Sequence, residues 1–415
     1  MKLEISTIKG FRDYLPPESL KRMAIKKIIE KYYKLYGFLP VETPVIEFDE
    51  LMRSDSINPA YQDEAVSERF RLRDRGGRDL GLRYEFTFQL ARTFKENPNI
   101  KLPFKRYQIG ENFRDEPLRA GRTRQFTQCD ADIIGDPFIN ADAECLALAS
   151  DILKELNISN IEIQINNRKL INSIIESIEI KEIKEIMREL DKIEKLGTDV
   201  VKANLKKYTS TNQVITLFKL LEKNLSFFLD NAFEGSEELD DLINKCKLYG
   251  IKTRFNPSMV RGFSYYTGNI FEIVISDRKL TLIAGGRYDK TVGKYIGREI
   301  PAVGISFSLE ALMDICENEI AKLPIELYPK VLIISFNQEE ETIKLARKLR
   351  KNNISCTTIE GQPSKALDFA NSQKIPFVIF LGEEEIEKNK FKLKEMSSGE
   401  EKFLSEKQLI GKLKK

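Results

Sequence analysis

The sequence predicts two folded units. The first, over residues 1–325, is an α+β domain whose antiparallel sheet is flanked by helices and interrupted by a helical insertion at about 167–250. The second, over 329–415, is a smaller α/β domain. Three observations carry this division. Residues 107–135 alternate with period 2 on either side of a turn, the pattern of two antiparallel strands. From Asn167 to about Leu248 the chain turns Lys/Glu/Ile/Leu-rich and helical, with few aromatics or glycines. Beyond Lys330, strands alternate with helices, which implies a mostly parallel sheet.

Composition narrows the chemistry. A net charge of +3 with 32% charged residues makes any nucleic-acid surface a local patch, not a global field. The five cysteines are scattered and never in C-x-x-C spacing, which reads as buried thiols in a reducing cytoplasm. No stretch resembles a spanning helix, no signal core follows Met1, and no membrane partner is expected. The chain has no histidine, which removes imidazole bases, imidazole metal sites and Ser-His-Asp or Cys-His nucleophiles. No G-x-x-x-x-G-K-[ST] loop occurs either. What remains is chemistry by arginine, carboxylate, tyrosine and bound magnesium.

Taken in order, a turn-rich entry over residues 7–16 leads into a helix from about Glu18 to Leu35. Gly37 to Glu47 reads as a strand broken by Pro40 and Pro44, hence at a sheet margin where a second subunit could pack. Residues 70–87 read as a hairpin turning at Gly76-Gly77, followed by a helix from Phe88 to about Lys95. Glu85 and Thr87, two apart at that junction, point the same way if the strand persists; otherwise Thr87 is a helix cap.

The next hairpin, Tyr107 to Gly135 with its loop around Pro117–Gly121, is the candidate site. Arg114 and Glu116 share a face of the first strand; Arg124, Phe126, Gln128 and Asp132 share a face of the second. Thr127, Cys129, Ala131 and Ile133 fill the opposite, core-like face. Arginine suits a phosphate, phenylalanine offers a stacking plane, and a carboxylate attracts a cationic or N–H-bearing group. The wall therefore fits something planar, phosphorylated and partly cationic. A solvated polar hairpin face fits the same alternation, and both readings stand at this point.

A helix from about Ala141 to Leu156 and an alternating strand from Ile161 precede the insertion, whose mixed charges read as a solvated face. The sheet resumes at Thr253. Arg261 and Tyr265 then fall on one face, and Leu282–Asp289 reads as a strand ending in a double glycine that permits close backbone approach. A strand from Pro301 runs into a helix reaching about Lys322, and residues 323–329 read as a linker.

These residues carry a resemblance. Phe113-Arg-Asp-Glu116 with Arg122-Thr-Arg-Gln-Phe126 resembles the second signature of class II aminoacyl-tRNA synthetases. Arg261-Gly-Phe-Ser-Tyr-Tyr-Thr-Gly and Ala284-Gly-Gly-Arg-Tyr-Asp289 resemble the two signatures peculiar to the histidyl-tRNA synthetase family. Gly37–Pro44 is similar to the first class II signature, and residues 330–400 resemble the family's anticodon-binding domain.

The resemblance implies a class II catalytic domain over 1–325, an anticodon-binding domain over 329–415 and a homodimer. It implies formation of histidyl-adenylate from histidine and ATP with Mg2+, then transfer of the histidyl group to the histidine tRNA. Carried over by position, Arg114 and Arg261 would hold the α-phosphate and act as the catalytic pair. Glu116 would read the adenine amino group, Phe126 would stack on the ring, and Arg122 would reach the terminal phosphates. Glu85, Thr87 and Gln128 match positions gripping the substrate's amino end and carboxylate; Asp132, Tyr265 and Tyr266 match those reading the imidazole. No direct protein ligand to the metal is assigned.

Three positions depart from the pattern. Ala311 in Ser308-Leu-Glu-Ala311 stands where the family has an arginine on the ATP tail. Losing one such preorganised contact costs roughly 10²–10³ in rate, about 2.7–4 kcal/mol, unless Arg122, Arg124 or Arg287 covers the phosphate. Ser264 replaces an aspartate, and Tyr84 stands where many members have proline. Ala311 keeps open an alternative: a catalytically silent paralogue serving as regulatory subunit of ATP phosphoribosyltransferase in histidine biosynthesis. An RNA-binding accessory protein that works without ATP is a third reading.

Overall fold

The computed structural model describes residues 5–52, 68–118, 123–260, 265–276, 280–315, 317–320, 322–323 and 329–414. The chain folds as two compact units, Met1–Leu323 and Pro324–Lys415.

The first unit is built on an eight-stranded sheet. In chain order its strands are β1 (Leu39–Pro40), β5 (Phe104–Phe113), β6 (Gln125–Ile134), β7 (Ile161–Asn167), β8 (Thr253–Phe255), β9 (Asn269–Ile275), β10 (Leu280–Arg287) and β11 (Ala302–Ser308). They lie side by side as β1-β5-β6-β11-β10-β9-β7-β8. The pairs from β5 across to β7 are antiparallel, while the two outermost pairs, β1 with β5 and β7 with β8, are parallel. The expected antiparallel sheet is thus present across the centre, with a parallel strand added at each margin. The parallel pair β7/β8 has a plain cause. A parallel neighbour requires a long crossover, and here the crossover is the run of helices from Arg168 to Leu248.

A separate three-stranded sheet is formed by β2 (Ile46–Phe48), β3 (Arg71–Arg73) and β4 (Asp79–Leu82) in the order β2-β4-β3. The stretch expected as one interrupted strand is therefore two strands in two sheets. Leu39–Pro40 forms the margin of the large sheet, and Pro44 falls in the connection to Ile46.

Two helices cover one face of the large sheet. Helix α1 (Glu18–Leu35) buries Arg22, Ile25, Ile29 and Tyr33, a stripe at three- and four-residue spacing, and Tyr33 donates from its hydroxyl to the Cys129 carbonyl at 2.7 Å. Helix α3 (Ile139–Glu155) is rich in alanine and leucine and buried along most of its length, which lets it sit close against the sheet. Between these helices in chain order lies α2 (Thr87–Glu96). Tyr107, Cys129, Ala131 and Phe307 fill the core on the α1 and α3 side.

The double glycine lies inside β10, not at its end. A Cβ on Gly285 would come within 2.2 Å of the Gly304 carbonyl and 2.5 Å of the Phe271 ring. Close strand and ring approach, not a turn, is what requires glycine there.

The second unit has the sheet order β13-β12-β14-β15-β16, from β12 (Val331–Ser335), β13 (Cys356–Glu360), β14 (Phe377–Leu381), β15 (Phe391–Glu395) and β16 (Glu401–Leu404). The first three are mutually parallel and the last two antiparallel. Val331 and Ile333 enter a core with Leu345, Leu349 and Leu409, while Leu332 and Ile334 enter another with Ala366 and Ala370. Burial on both faces explains the unbroken apolar run. Two short helices, Glu383–Glu387 and Glu406–Leu413, follow the last parallel strand where only a β-tail was expected.

Candidate active site

The face of the large sheet opposite α1 and α3 carries the candidate residues. Register decides which side chains share it. Across β5, β6 and β11, Arg106 pairs with Asp132 and Gly304, Gln108 with Asp130 and Ser306, and Gly110 with Gln128 and Ser308. Phe126, Gln128, Asp130 and Asp132 therefore line one side of β6, as the alternation in the sequence requires. Glycines at 110, 286 and 304 leave the floor between them low, and a Cβ on Gly304 would lie 2.0 Å from Asp132 Oδ1.

Each wall is held by neighbours. Gln128 accepts from Asn112 Nδ2 and donates to Ser306 Oγ at 2.7 Å, which fixes its amide. Asp132 accepts from the Tyr288 hydroxyl and forms an ion pair with Arg106, Nη2 to Oδ2 at 2.7 Å. Both Arg106 and Asp132 are almost wholly buried. Burial pushes the Asp132 carboxyl up, against the opposing pull of Arg106 and Tyr288.

Glu85 accepts from the backbone N–H of Thr87 at 2.8 Å and of Phe88 at 2.6 Å. Its carboxylate thus sits on the N-terminus of α2, where free N–H groups and the helix dipole favour negative charge. Thr87 is the first residue of that helix and Phe86 precedes it at the cap, so threonine does not cap the helix. Burial raises Glu85 as well. Tyr265 packs edge-on against Phe88 at 5.8 Å, beside Tyr266 at 4.8 Å and Tyr288 at 5.8 Å, with Thr87 as a hydrogen-bond partner. Neither Tyr265 nor Tyr266 belongs to a strand.

Arg114 closes the other end. Its guanidinium lies 4.4 Å from the Tyr84 ring centre and 4.8 Å from that of Phe126. Cation–π contact on two sides holds a charge that must keep its donors aimed. Tyr84, noted in the sequence only as a departure, is thereby a support of Arg114. Glu116 is buried, and its carbonyl accepts from Arg124 Nε at 3.2 Å.

Arg114 thus touches Phe126, which shares one side of β6 with Gln128 and Asp132, and from Asp132 contacts run through Tyr288 and Tyr265 to Thr87 and Glu85. Arg122, Arg261 and Ser264 lie outside the described residues. Of the three arginines weighed as cover for the phosphate left by Ala311, Arg287 is engaged elsewhere. It points to the α3 side, pairs with buried Asp142, and donates to the Asp136 carbonyl at 3.0 Å and the Phe138 carbonyl at 3.1 Å. Register requires that orientation, since Arg287 is one residue beyond floor-facing Gly286. Arg124 lies along Gly10 and reaches Asp115 at 3.3 Å. The sequence reading also passed over Arg106 and Asp130, both on the floor by the same alternation that selected Gln128 and Asp132.

Two family models match the chain, histidyl-tRNA synthetase over residues 10–312 and the anticodon-binding domain over 330–415. A Bacillus cereus protein named histidine-tRNA ligase 1 is 37% identical, with 96% of this chain and 97% of that protein covered. Histidine-tRNA ligase of Korarchaeum cryptofilum is 33% identical over 92% of each chain. The crystal structure of histidyl-tRNA synthetase from Nostoc sp. PCC 7120 superposes with a TM-score of 0.85 at 27% identity, covering 100% of this chain and 99% of that one. A Bacillus halodurans structure described as an ATP phosphoribosyltransferase regulatory subunit/histidyl-tRNA synthetase gives a TM-score of 0.74 at 22% identity, covering 90% and 97%, a likeness of fold alone. By the match of its catalytic and anticodon-binding parts along almost its whole length, the chain belongs to the histidyl-tRNA synthetase family.

Proposed function

We propose that the sheet floor from Phe126 to Asp132, with Arg114 at one end and Glu85, Thr87, Tyr265 and Tyr266 at the other, activates the amino acid in this histidine-tRNA ligase. In the first step a carboxylate oxygen of histidine attacks the α-phosphorus of ATP. The bond to the β-phosphate bridging oxygen breaks, and pyrophosphate leaves with the electron pair. In the second, a terminal ribose hydroxyl of the histidine tRNA attacks the activated carbonyl, and AMP leaves.

Arg114 is the residue assigned to the charge that grows on the α-phosphoryl oxygens, a task for a fixed, permanently charged donor. Phe126 would take the adenine ring and Glu116 its amino group. Gln128, held by Asn112 and Ser306, would face the carboxylate end, and Asp132 with the tyrosines the imidazole. Arg261 and Arg122 keep the phosphate roles that the family signatures give them. The observation that carries this reading is the Arg114 guanidinium lodged between the rings of Tyr84 and Phe126, directly beside the floor.

Magnesium would travel with ATP. Among the described residues no group of three or more carboxylate or thiol side chains could hold a metal ion. The 330–415 domain would read the tRNA. A homodimer and a cytoplasmic location complete the proposal. The dimer is supported by exposed Leu35, Leu39, Val45, Ile46 and Phe48 around the β1 margin. Among the described residues no helix is long and apolar enough to cross a membrane. The regulatory reading rests on Ala311 alone.

The test is Arg114→Gln in ATP–pyrophosphate exchange. Loss of roughly 10²–10³ in rate with an unchanged melting temperature supports the assignment; unchanged exchange removes it.

A further inference from the structure

Asn166, near the end of β7, belongs to none of the signature stretches named above, yet its place in the sheet is specific. Read across the strands, Asn166 pairs with Ile270, Ile270 with Gly286, Gly286 with Gly304, and Gly304 with Asp132. Directly paired residues project from the same face of a sheet. The Asn166 side chain therefore emerges on the floor side, in one row with Asp132. It is wholly buried, and a buried amide must find partners.

It finds them in the chain that follows β8. That strand ends at Phe255, and a turn closes with the Met259 N–H donating to the Asn256 carbonyl at 3.1 Å. Asn166 Nδ2 donates to the Pro257 carbonyl at 3.1 Å and to the Met259 carbonyl at 3.0 Å. Its Oδ1 accepts from the Asn167 N–H at 2.9 Å. Both amide hydrogens and the oxygen are used, and a flipped amide would lose all three bonds. Asn256 adds a tie from Nδ2 to Gln164 Oε1 at 2.7 Å, and Met259 and Val260 are buried beside it in sequence. Further along, the Thr267 N–H donates to the Arg287 carbonyl at 2.8 Å.

The stretch from 257 to 267 is thus tied at both ends, and one side chain supplies the tie at the first. Arg261 follows Met259 by two residues in the sequence. We propose that Asn166 is a positioning residue for adenylate formation: by gripping the carbonyls of Pro257 and Met259, it sets the backbone from which Arg261 serves the α-phosphate. Asn166 acts through that backbone and not on the substrate. This rests on the activation reading above and on the phosphate role which that reading gives Arg261.

The experiment is a double-mutant cycle in ATP–pyrophosphate exchange with Asn166→Ala and Arg261→Met. Displacing a group at the reacting centre by about 1 Å costs on the order of 10²-fold, so Asn166→Ala should lower kcat roughly 10–100-fold. The histidine and ATP KM should each change by less than about threefold, since positioning is lost and not uniform binding. On the Arg261→Met background, Asn166→Ala should slow exchange by no more than about twofold further, because two residues that act as one unit are not additive. Losses that multiply, a loss confined to KM, or an unchanged kcat in Asn166→Ala each overturn the proposal. Asn166→Ser, which keeps one donor, serves in the same cycle if the alanine variant does not fold. Arg261→Met exchanging as fast as wild type would instead remove the phosphate role of Arg261, and the proposal with it.

Discussion

Glu310 accepts from Arg22 Nη2 at 2.7 Å and from the backbone N–H of Thr127 at 2.8 Å, with all three residues buried. The same Arg22 group donates to Thr127 Oγ1 at 2.9 Å. One carboxylate thus ties α1, β6 and the helix Leu309–Ile315 together, next to Phe126. Removing one partner of a buried pair typically costs about 3–5 kcal/mol, because the other charge is left uncompensated. Arg22→Met should destabilise the protein by about that amount in denaturant unfolding. It should also raise the ATP KM more than the histidine KM. An unchanged midpoint would show that the pair is not fixing the strand.

Arg287 and Asp142 form a buried pair on the far side of the sheet. Arg287→Ala should lower stability by about 3–5 kcal/mol while leaving the ATP KM of the folded enzyme unchanged. A selective rise in the ATP KM, without loss of stability, would return Arg287 to the phosphate.

Gly304 sets the depth of the floor. Its replacement by alanine would drive a methyl group against Asp132 Oδ1 and displace the carboxylate from Tyr288. The histidine KM should rise roughly tenfold, equivalent to about 1.4 kcal/mol, with the ATP KM little changed. Equal changes in both would point to general disruption of the sheet.

Asp130 makes stability depend on pH in an unusual direction. Its folded carboxyl is pushed up to about 8, above the ordinary aspartate value near 4. Between these pH values the folded state keeps a proton that the unfolded state has released, so stability falls as pH rises. It is greatest relative to Asp130→Asn below pH 4 and is lost progressively toward pH 8. Melting temperatures of wild type and Asp130→Asn without ligand should therefore diverge in favour of the variant between pH 5 and 8. A constant difference across that range would contradict the assignment.

Much of the fold was legible because burial enforces periodicity. Helix Glu18–Leu35 and strand Ile161–Asn167 follow their patterns closely, and the alternation in β6 sorted Phe126, Gln128 and Asp132 onto one face. The parallel pairing of β1 with β5 and of β8 with β7 was not legible, since it depends on where distant segments close onto the sheet margins. Arg287 could be named beside Arg122 and Arg124 by charge type, but only register, with Gly286 paired to Gly304 on the floor, shows which side it faces. Asp130 obeyed the alternation but belonged to no signature. Tyr84 could be understood only once Arg114 was seen against its ring.

On the proposed reading, this floor activates histidine although residue 311 is alanine. ATP–pyrophosphate exchange with each standard amino acid tests it most directly. Exchange with histidine alone, lost in Arg114→Gln, is the predicted result. A folded protein that binds histidine yet exchanges with no amino acid would contradict it and favour the regulatory reading.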